Sequence, residues 1–220
     1  MKDVLIVQYA KWPQLGKVKT RLAKSLGKQK ALDVHMQLLA AVFNNLRTNE
    51  SGKFELWLNE NGFNLDASIL STEEIDIQES MKELIANANV AYQLQQGASL
   101  GDKMAHTLET SLISFEKVII VGSDCPNVSP EIISQAVAEL NDHDLVLGPA
   151  EDGGYVLIGA SRFEPGIFTD VAWGQGQVLK KTLSNAKDLS YGVALLDESW
   201  DVDELEDYER WLNLDCHYSK

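Results

Sequence analysis

Nowhere does the sequence hold an apolar run approaching the roughly 20 residues that a membrane-spanning helix needs. Cysteine is scarce. Cys125 and Cys216 lie far apart and form no metal-ligand spacing, so both are expected to be reduced thiols of a cytoplasmic protein. No small-residue cleavage site follows "MKDVLIVQYAKW", which is expected to form a first strand rather than a signal peptide. Positive charge is in deficit: 19 Lys and Arg stand against 33 Asp and Glu, and a net charge of −14 argues against nucleic acid or an anionic membrane as partner. Neither G-x-x-x-x-G-K-S/T nor G-x-G-x-x-G occurs, which removes the two commonest nucleotide loops. No serine occupies a nucleophile elbow. His35, His106, His143 and His217 have no partner at ligand spacing. Internal repeats, low-complexity tracts and linkers are also missing, so residues 1–220 are expected to form one domain.

What is present alternates. Apolar runs rich in β-branched residues occur at Asp3–Ala10, Lys53–Leu58, Val90–Gln95, Val118–Val121, Asp144–Pro149, Gly154–Ala160 and Gly192–Leu196. Helical spacing occurs at Ala31–Leu46, Leu100–Phe115, after Pro130, over residues 175–186 and from Val202 onward. Residues 64–90 are ambiguous, with a short helix expected near Met81–Ala88. Strands that alternate with helices predict an α/β domain: an open, mostly parallel sheet covered by helices on both faces, Rossmann-like in outline.

Charge is unevenly distributed. Residues 1–30 hold eight Lys or Arg and the single acid Asp3, a net +7, so the rest of the chain carries −21 of the overall −14. Within this basic stretch "KWPQLGKVKTRLAKSLG" follows the first strand. Gly16 permits close backbone approach, and Lys17, Lys19 and Arg21 suit phosphate. A second feature is "KVIIVGSDCPNVSP". Its strand ends at Gly122, Asp124 follows, and Pro126 forbids regular continuation. Ligands of open α/β sheets bind beyond the carboxyl ends of the strands. A carboxylate there suits Mg²⁺ or Mn²⁺, although an Asx-turn would use the same residue. In "GPAEDGGYVLIG", Asp152, Gly153 and Gly154 read as a hairpin turn, as a site in which Glu151 or Asp152 meets a ligand, or as both. In "SWDVDELEDYERWL", Asp203 reads as a helix cap paired with Glu206, or as a second metal-binding carboxylate beside Asp124.

Four segments, "GKVKTRLAKSLG", "VGSDCPNVSPEII", "LGPAEDGGYVLIG" and "DVDELEDYERW", stand in the same order as in a bacterial family of small cytosolic glycosyltransferase-like proteins with the nucleotide-diphospho-sugar transferase fold. The resemblance runs over nearly the whole chain. "QGASLGDKM" and "FTDVAWGQGQVLKKTL" are also similar to family segments. The "KTRL" loop and the "DVD" helix start resemble, more distantly, phospholactate guanylyltransferase and the molybdenum-cofactor nucleotidyltransferases. The resemblance implies a nucleotide held across the first loop, with Asp124 near the metal of the diphosphate. Two departures stand out: Gly174 and Gln175 follow Trp173 where the pattern has Ser or Thr, and Glu204 and Leu205 replace a Thr-Pro. The expectation is a transferase that uses Mg²⁺ or Mn²⁺ and a nucleotide sugar, acting on a small-molecule acceptor. A nucleotidyltransferase that releases pyrophosphate and a non-catalytic nucleotide-binding module are the alternatives. Asp124 and Asp152 are the expected catalytic groups, and Asp124 and Asp203 the expected metal ligands. Gly16, Lys17, Lys19, Arg21, Gly153 and Gly154 are expected around the phosphates.

Overall fold

The computed structural model describes residues 3–64 and 70–218, the last four of these and Asn64 by backbone alone. Cys216 and His217 therefore have their side chains outside the described residues, as does part of the ambiguous 64–90 segment. Seven strands form one sheet: β1 (Val4–Ala10), β2 (Lys53–Leu58), β3 (Ala91–Leu94), β4 (Lys117–Gly122), β5 (Leu145–Pro149), β6 (Tyr155–Ala160) and β7 (Val193–Leu195). Their order is β3-β2-β1-β4-β6-β5-β7. Only β6 runs antiparallel to its neighbours β4 and β5. The carboxyl ends of the other six strands therefore share one edge with the start of β6. Central β1 is buried at all seven positions, which is why it is an unbroken apolar run rather than an alternating one.

Among the described residues the α-helices are α1 (Leu22–Leu26), α2 (Lys28–Arg47), α3 (Thr72–Ala88), α4 (Leu100–Ser111), α5 (Pro130–Glu139), α6 (Val178–Asp188) and α7 (Leu205–Tyr218). Their apolar stripes cover both faces of the sheet. Val42 and Leu46 of α2 and Ile133 and Ala136 of α5 pack on Ile6, Ile119 and Val121. Met104 and Leu108 of α4 and Ala186 of α6 pack on Val7, Ile120 and Ile158 of the other face. None of these helices is long and apolar enough to cross a membrane.

Local chemistry sets the helix starts. Ser129 caps α5 ahead of Pro130. At α4, Ser99 and Asp102 exchange hydrogen bonds at 2.9 and 3.1 Å. The same reciprocal pair, Ser71 with Glu74, starts α3 nine residues earlier than apolar spacing alone predicts. The "S-T-E-E" signature at Ser71 is the signal that locates it.

Candidate functional site

The site is built where β1 and β4 end. Gln8, the one polar residue of "VLIVQYA", is fully buried. Its amide donates to the Leu39 carbonyl and to Ser123 Oγ, both at 3.0 Å. Ser123 Oγ in turn donates to the Tyr9 carbonyl at 2.8 Å. This buried chain of bonds ties α2 to the ends of both strands and fixes the backbone that presents Asp124. From α2 the buried His35 places Nε2 3.0 Å from the Lys11 carbonyl and so pins the start of the first loop. Burial pushes its imidazole below the ordinary value, against the pull of the Asp124 carboxylate. His35 is thus a structural part that its isolated position in the sequence does not reveal.

The first loop then turns back onto Asp124. Gly16 has φ +73° in a turn closed by the Lys17 N–H donating to the Gln14 carbonyl. Lys19 adopts φ +47°, unusual for a side-chain-bearing residue. Its ammonium is buried, 2.8 Å from Asp124 Oδ1 and 2.5 Å from the Val202 carbonyl. The Asp124 side chain keeps 46% of its surface exposed while Oδ1 itself is sealed off, so the exposed part includes the other oxygen. Burial raises the Asp124 carboxyl, but Lys19 and then His35 outweigh it and hold the pKa below the ordinary carboxylate value. The Val202 N–H donates to the Asp124 carbonyl at 3.0 Å. That bond brings the chain around Asp201 and Asp203 to the tip of β4.

A cleft of about 310 Å³ opens beside this tip. Asp124, Asp152 and Asp201 line it, together with Gly154, Gly174 and Gln175. Asp201 is a group that sequence reasoning passed over in favour of Asp203. Burial, the nearby Asp152 and then the carboxylates of Asp124 and Asp203 raise its pKa to about 6, with Lys19 opposing. Asp203 is absent from the cleft lining and pairs with Arg21 at 2.9 Å, both side chains open to solvent. Nor does Asp203 cap α7 with Glu206: the backbone N–H groups of Asp203 and Glu204 donate to Asp207 at 3.0 and 2.7 Å.

Of the residues expected around the phosphates, Gly154 lines the cleft, and Gly16, Lys17, Lys19, Arg21 and Gly153 do not. Lys17 is exposed at the outer side of the loop. The 150–154 segment is the hairpin between β5 and β6, in which Asp152 Oδ1 accepts from the Gly154 N–H at 2.8 Å. Gly153 has φ +83°, and a Cβ there would stand 2.5 Å from the Gly176 carbonyl. It lets the hairpin pack on the loop that carries Gly174 and Gln175. Glu151 is engaged elsewhere, accepting from Arg210 of α7 at 3.0 Å through both oxygens.

Among the described residues no three His, Cys, Asp or Glu side chains are gathered into a metal-holding group. Asp124, Asp152 and Asp201 offer carboxylate oxygens to the cleft and Gln175 an amide, and Asp124 retains an open oxygen beside the sealed one. That set fits a hard divalent cation that completes its shell with ligand phosphates and water.

Comparison with known proteins agrees with the fold. Residues 63–175 match the model of a family described as an uncharacterized protein conserved in bacteria (DUF2064). No curated protein sequence matches the chain. A protein from Desulfovibrio desulfuricans, provisionally described as a nucleotide-diphospho-sugar transferase, superposes with TM-score 0.85 at 26% identity, over 100% of this chain and 90% of its own. A CMP:2-keto-3-deoxy-manno-octonic acid synthetase in complex with CTP superposes with TM-score 0.60 at 8% identity, over 98% and 99% of the two chains. A manganese complex from Mycobacterium tuberculosis does so with TM-score 0.51 at 16% identity, over 97% and 99%.

Proposed function

The chain belongs to the bacterial family DUF2064, and from that membership and this site we propose that it is a metal-dependent transferase acting on a nucleotide-activated donor. A nucleotide-diphospho-sugar is the preferred donor. The position of Asp124 carries the reading: a carboxylate at the tip of a central strand, clamped by Lys19 of the first loop, with its exposed side opening on a cleft. The likeness to the Desulfovibrio desulfuricans protein supports the choice of donor.

Each residue has a task. Lys17 and Arg21 offer exposed cations to the phosphates, and Arg21 exchanges Asp203 for them when the donor arrives. Lys19 holds Asp124 in place rather than reaching the ligand. Asp124, with Asp201 or Asp203, would hold Mg²⁺ or Mn²⁺, which supplies charge neutralisation at the diphosphate as it leaves. In the transfer, the bond between the sugar carbon and the diphosphate oxygen breaks. A bond forms from that carbon to an acceptor oxygen, whose proton passes to the Asp152 carboxylate, and the nucleoside diphosphate departs. Asp152 is suited to this because it lines the cleft and the Gly154 N–H orients one of its oxygens.

The seven net positive charges of the first thirty residues favour a second reading, nucleotidyl transfer from a triphosphate. The broken bond separates the two. A thermal-shift panel of nucleotide sugars and nucleoside triphosphates with Mn²⁺ or Mg²⁺, followed by assays for released diphosphate and pyrophosphate, is the test. Metal-dependent pyrophosphate release that disappears in Asp124→Ala would establish nucleotidyl transfer. Binding without turnover of either ligand set would leave a nucleotide-binding module.

A further inference from the structure

The cleft has chemistry of its own beyond the carboxylates at its mouth. We propose that it is the acceptor subsite and that it takes an apolar, ring-bearing acceptor without negative charge, an inference that rests on the transferase reading above. Four observations carry it.

The inner wall is apolar and rigid. It consists of Tyr9 of β1, Leu100 and Met104 of α4, Tyr155 of β6 and Trp173. Trp173 is fixed on three sides. It meets Tyr155 edge-on at 6.3 Å and Phe168 at 5.6 Å, and its indole lies so close over Gly101 that a Cβ there would stand 2.6 Å from Nε1.

The polar ends of the two tyrosines are turned away. The Tyr9 hydroxyl bonds to the Lys103 carbonyl at 2.9 Å and to Thr107 at 2.5 Å, and the Tyr155 hydroxyl is buried. Both tyrosines therefore give the cleft ring surface and no hydrogen bonds. A polyhydroxylated sugar set against this wall would lose bonds to water without replacement, at a cost of roughly 1–3 kcal/mol per unpaired hydroxyl. An apolar ring gains by burial and by stacking on Trp173 or Tyr155.

Leu100 leaves 48% of its surface exposed at the entrance, although it belongs to none of the packed core clusters. An apolar side chain in that position extends the wall outward, towards solvent.

The charge around the cleft has one sign. Asp124, Asp152 and Asp201 line it, and no Lys, Arg or His among the described residues does so. Lys19 is spent on Asp124 from behind. A divalent ion brought by the donor arrives with the phosphates that it neutralises, so it does not reverse this sign. A phosphorylated or carboxylated acceptor is excluded by repulsion, whereas a neutral or amine-bearing one is admitted.

The experiment is a calorimetric titration of the chelator-treated protein with three phenols that share one ring and differ in charge: tyramine, 4-ethylphenol and 4-hydroxyphenylacetate. Tyramine should bind most tightly and 4-ethylphenol next, with the carboxylate on the order of tenfold weaker than tyramine or worse. In Leu100→Lys, which adds a cation at an exposed position, the gap between tyramine and the carboxylate should close or invert while the melting temperature stays unchanged. Equal or tighter binding of the carboxylate by the wild type overturns the proposal, as does binding of none of the three. A parallel titration with nucleoside diphosphate and Mn²⁺ keeps the two claims apart. Nucleotide binding without phenol binding sinks the acceptor subsite alone, and phenol binding without nucleotide binding sinks the transferase reading and leaves the pocket chemistry standing.

Discussion

Lys19 spends its charge inside the protein. Its ammonium bridges Asp124 and the Val202 carbonyl, and through them three segments distant in sequence: the first loop, the end of β4 and the approach to α7. Lys19→Met leaves Asp124 Oδ1 sealed without a counter-charge. A fully buried pair broken this way costs about 3–5 kcal/mol, and the half-exposed Asp124 lowers the expectation to about 2 kcal/mol. Lys19→Met with Asp124→Asn should recover at least half of that loss in urea unfolding; a double variant no more stable than the single one would show that Lys19 acts by packing. Asp201 makes the opposite kind of contribution. Its pKa rises from 3.8 to about 6 on folding, so the native state holds its proton more tightly than the unfolded chain does. Its share of stability is present at low pH and is lost as pH climbs between those two values. In the presence of a chelator Asp201→Asn should therefore gain about 1 kcal/mol over the wild type at neutral pH, a figure discounted for solvent screening, with no gain below about pH 4. Parallel stability curves for the two proteins across that range would refute it. Asp201 was hard to select from sequence because it and Asp203 flank Val202 with equal claims. What distinguishes them is tertiary: Arg21 takes Asp203, and the cleft takes Asp201. Asp124 was legible because Gly122 and Pro126 mark the end of its strand.

At the scale of elements, local signals carried far. The β-branched runs, the Ser129-Pro130 helix start and the D-G hairpin before Tyr155 all have neighbouring residues that specify them, and the structure forms each one. The order in which strands pair has no such local signature. That β6 inserts antiparallel between β4 and β5 is decided by sheet packing. The hairpin shows what an element can demand of one residue. Gly153 combines φ +83° with the 2.5 Å approach that a Cβ would make to the Gly176 carbonyl, and the Leu179 N–H donates to the Gly153 carbonyl at 3.0 Å. Gly153→Ala must therefore separate the 150–154 hairpin from the 174–177 loop as well as strain the backbone. We expect a loss of about 2–3 kcal/mol in thermal or urea unfolding. Gly174→Ala shares a positive φ of +75° but meets nothing within 4 Å, so it should lose only about 1 kcal/mol. Equal losses in the two variants would show that backbone strain, and not loop packing, is what Gly153 relieves.

Across the whole molecule, charge is divided between two neighbouring surfaces. A first loop of net positive charge borders a cleft lined by three carboxylates, in a chain that is otherwise strongly acidic. Lys19 and Asp124 join the two. On the proposed reading a polyanion would be drawn to the loop and kept out of the cleft, so that donor and acceptor would be sorted by sign before either is held in place. In the proposed function a divalent cation would join them at Asp124, which is the central claim of this account. The direct test is a calorimetric titration of a panel of nucleoside diphosphates in the presence of Mn²⁺, carried out on the wild type and on Asp124→Asn. The wild type should bind at least one of them in a metal-dependent manner. Asp124→Asn, which keeps the shape and a hydrogen-bond acceptor for Lys19, should weaken that binding on the order of a hundredfold, the loss of one charged metal ligand, in titrations made well below a melting temperature that falls because the buried Lys19 loses its counter-charge. Nucleotide binding of equal strength in both proteins, or with and without Mn²⁺, would contradict the account.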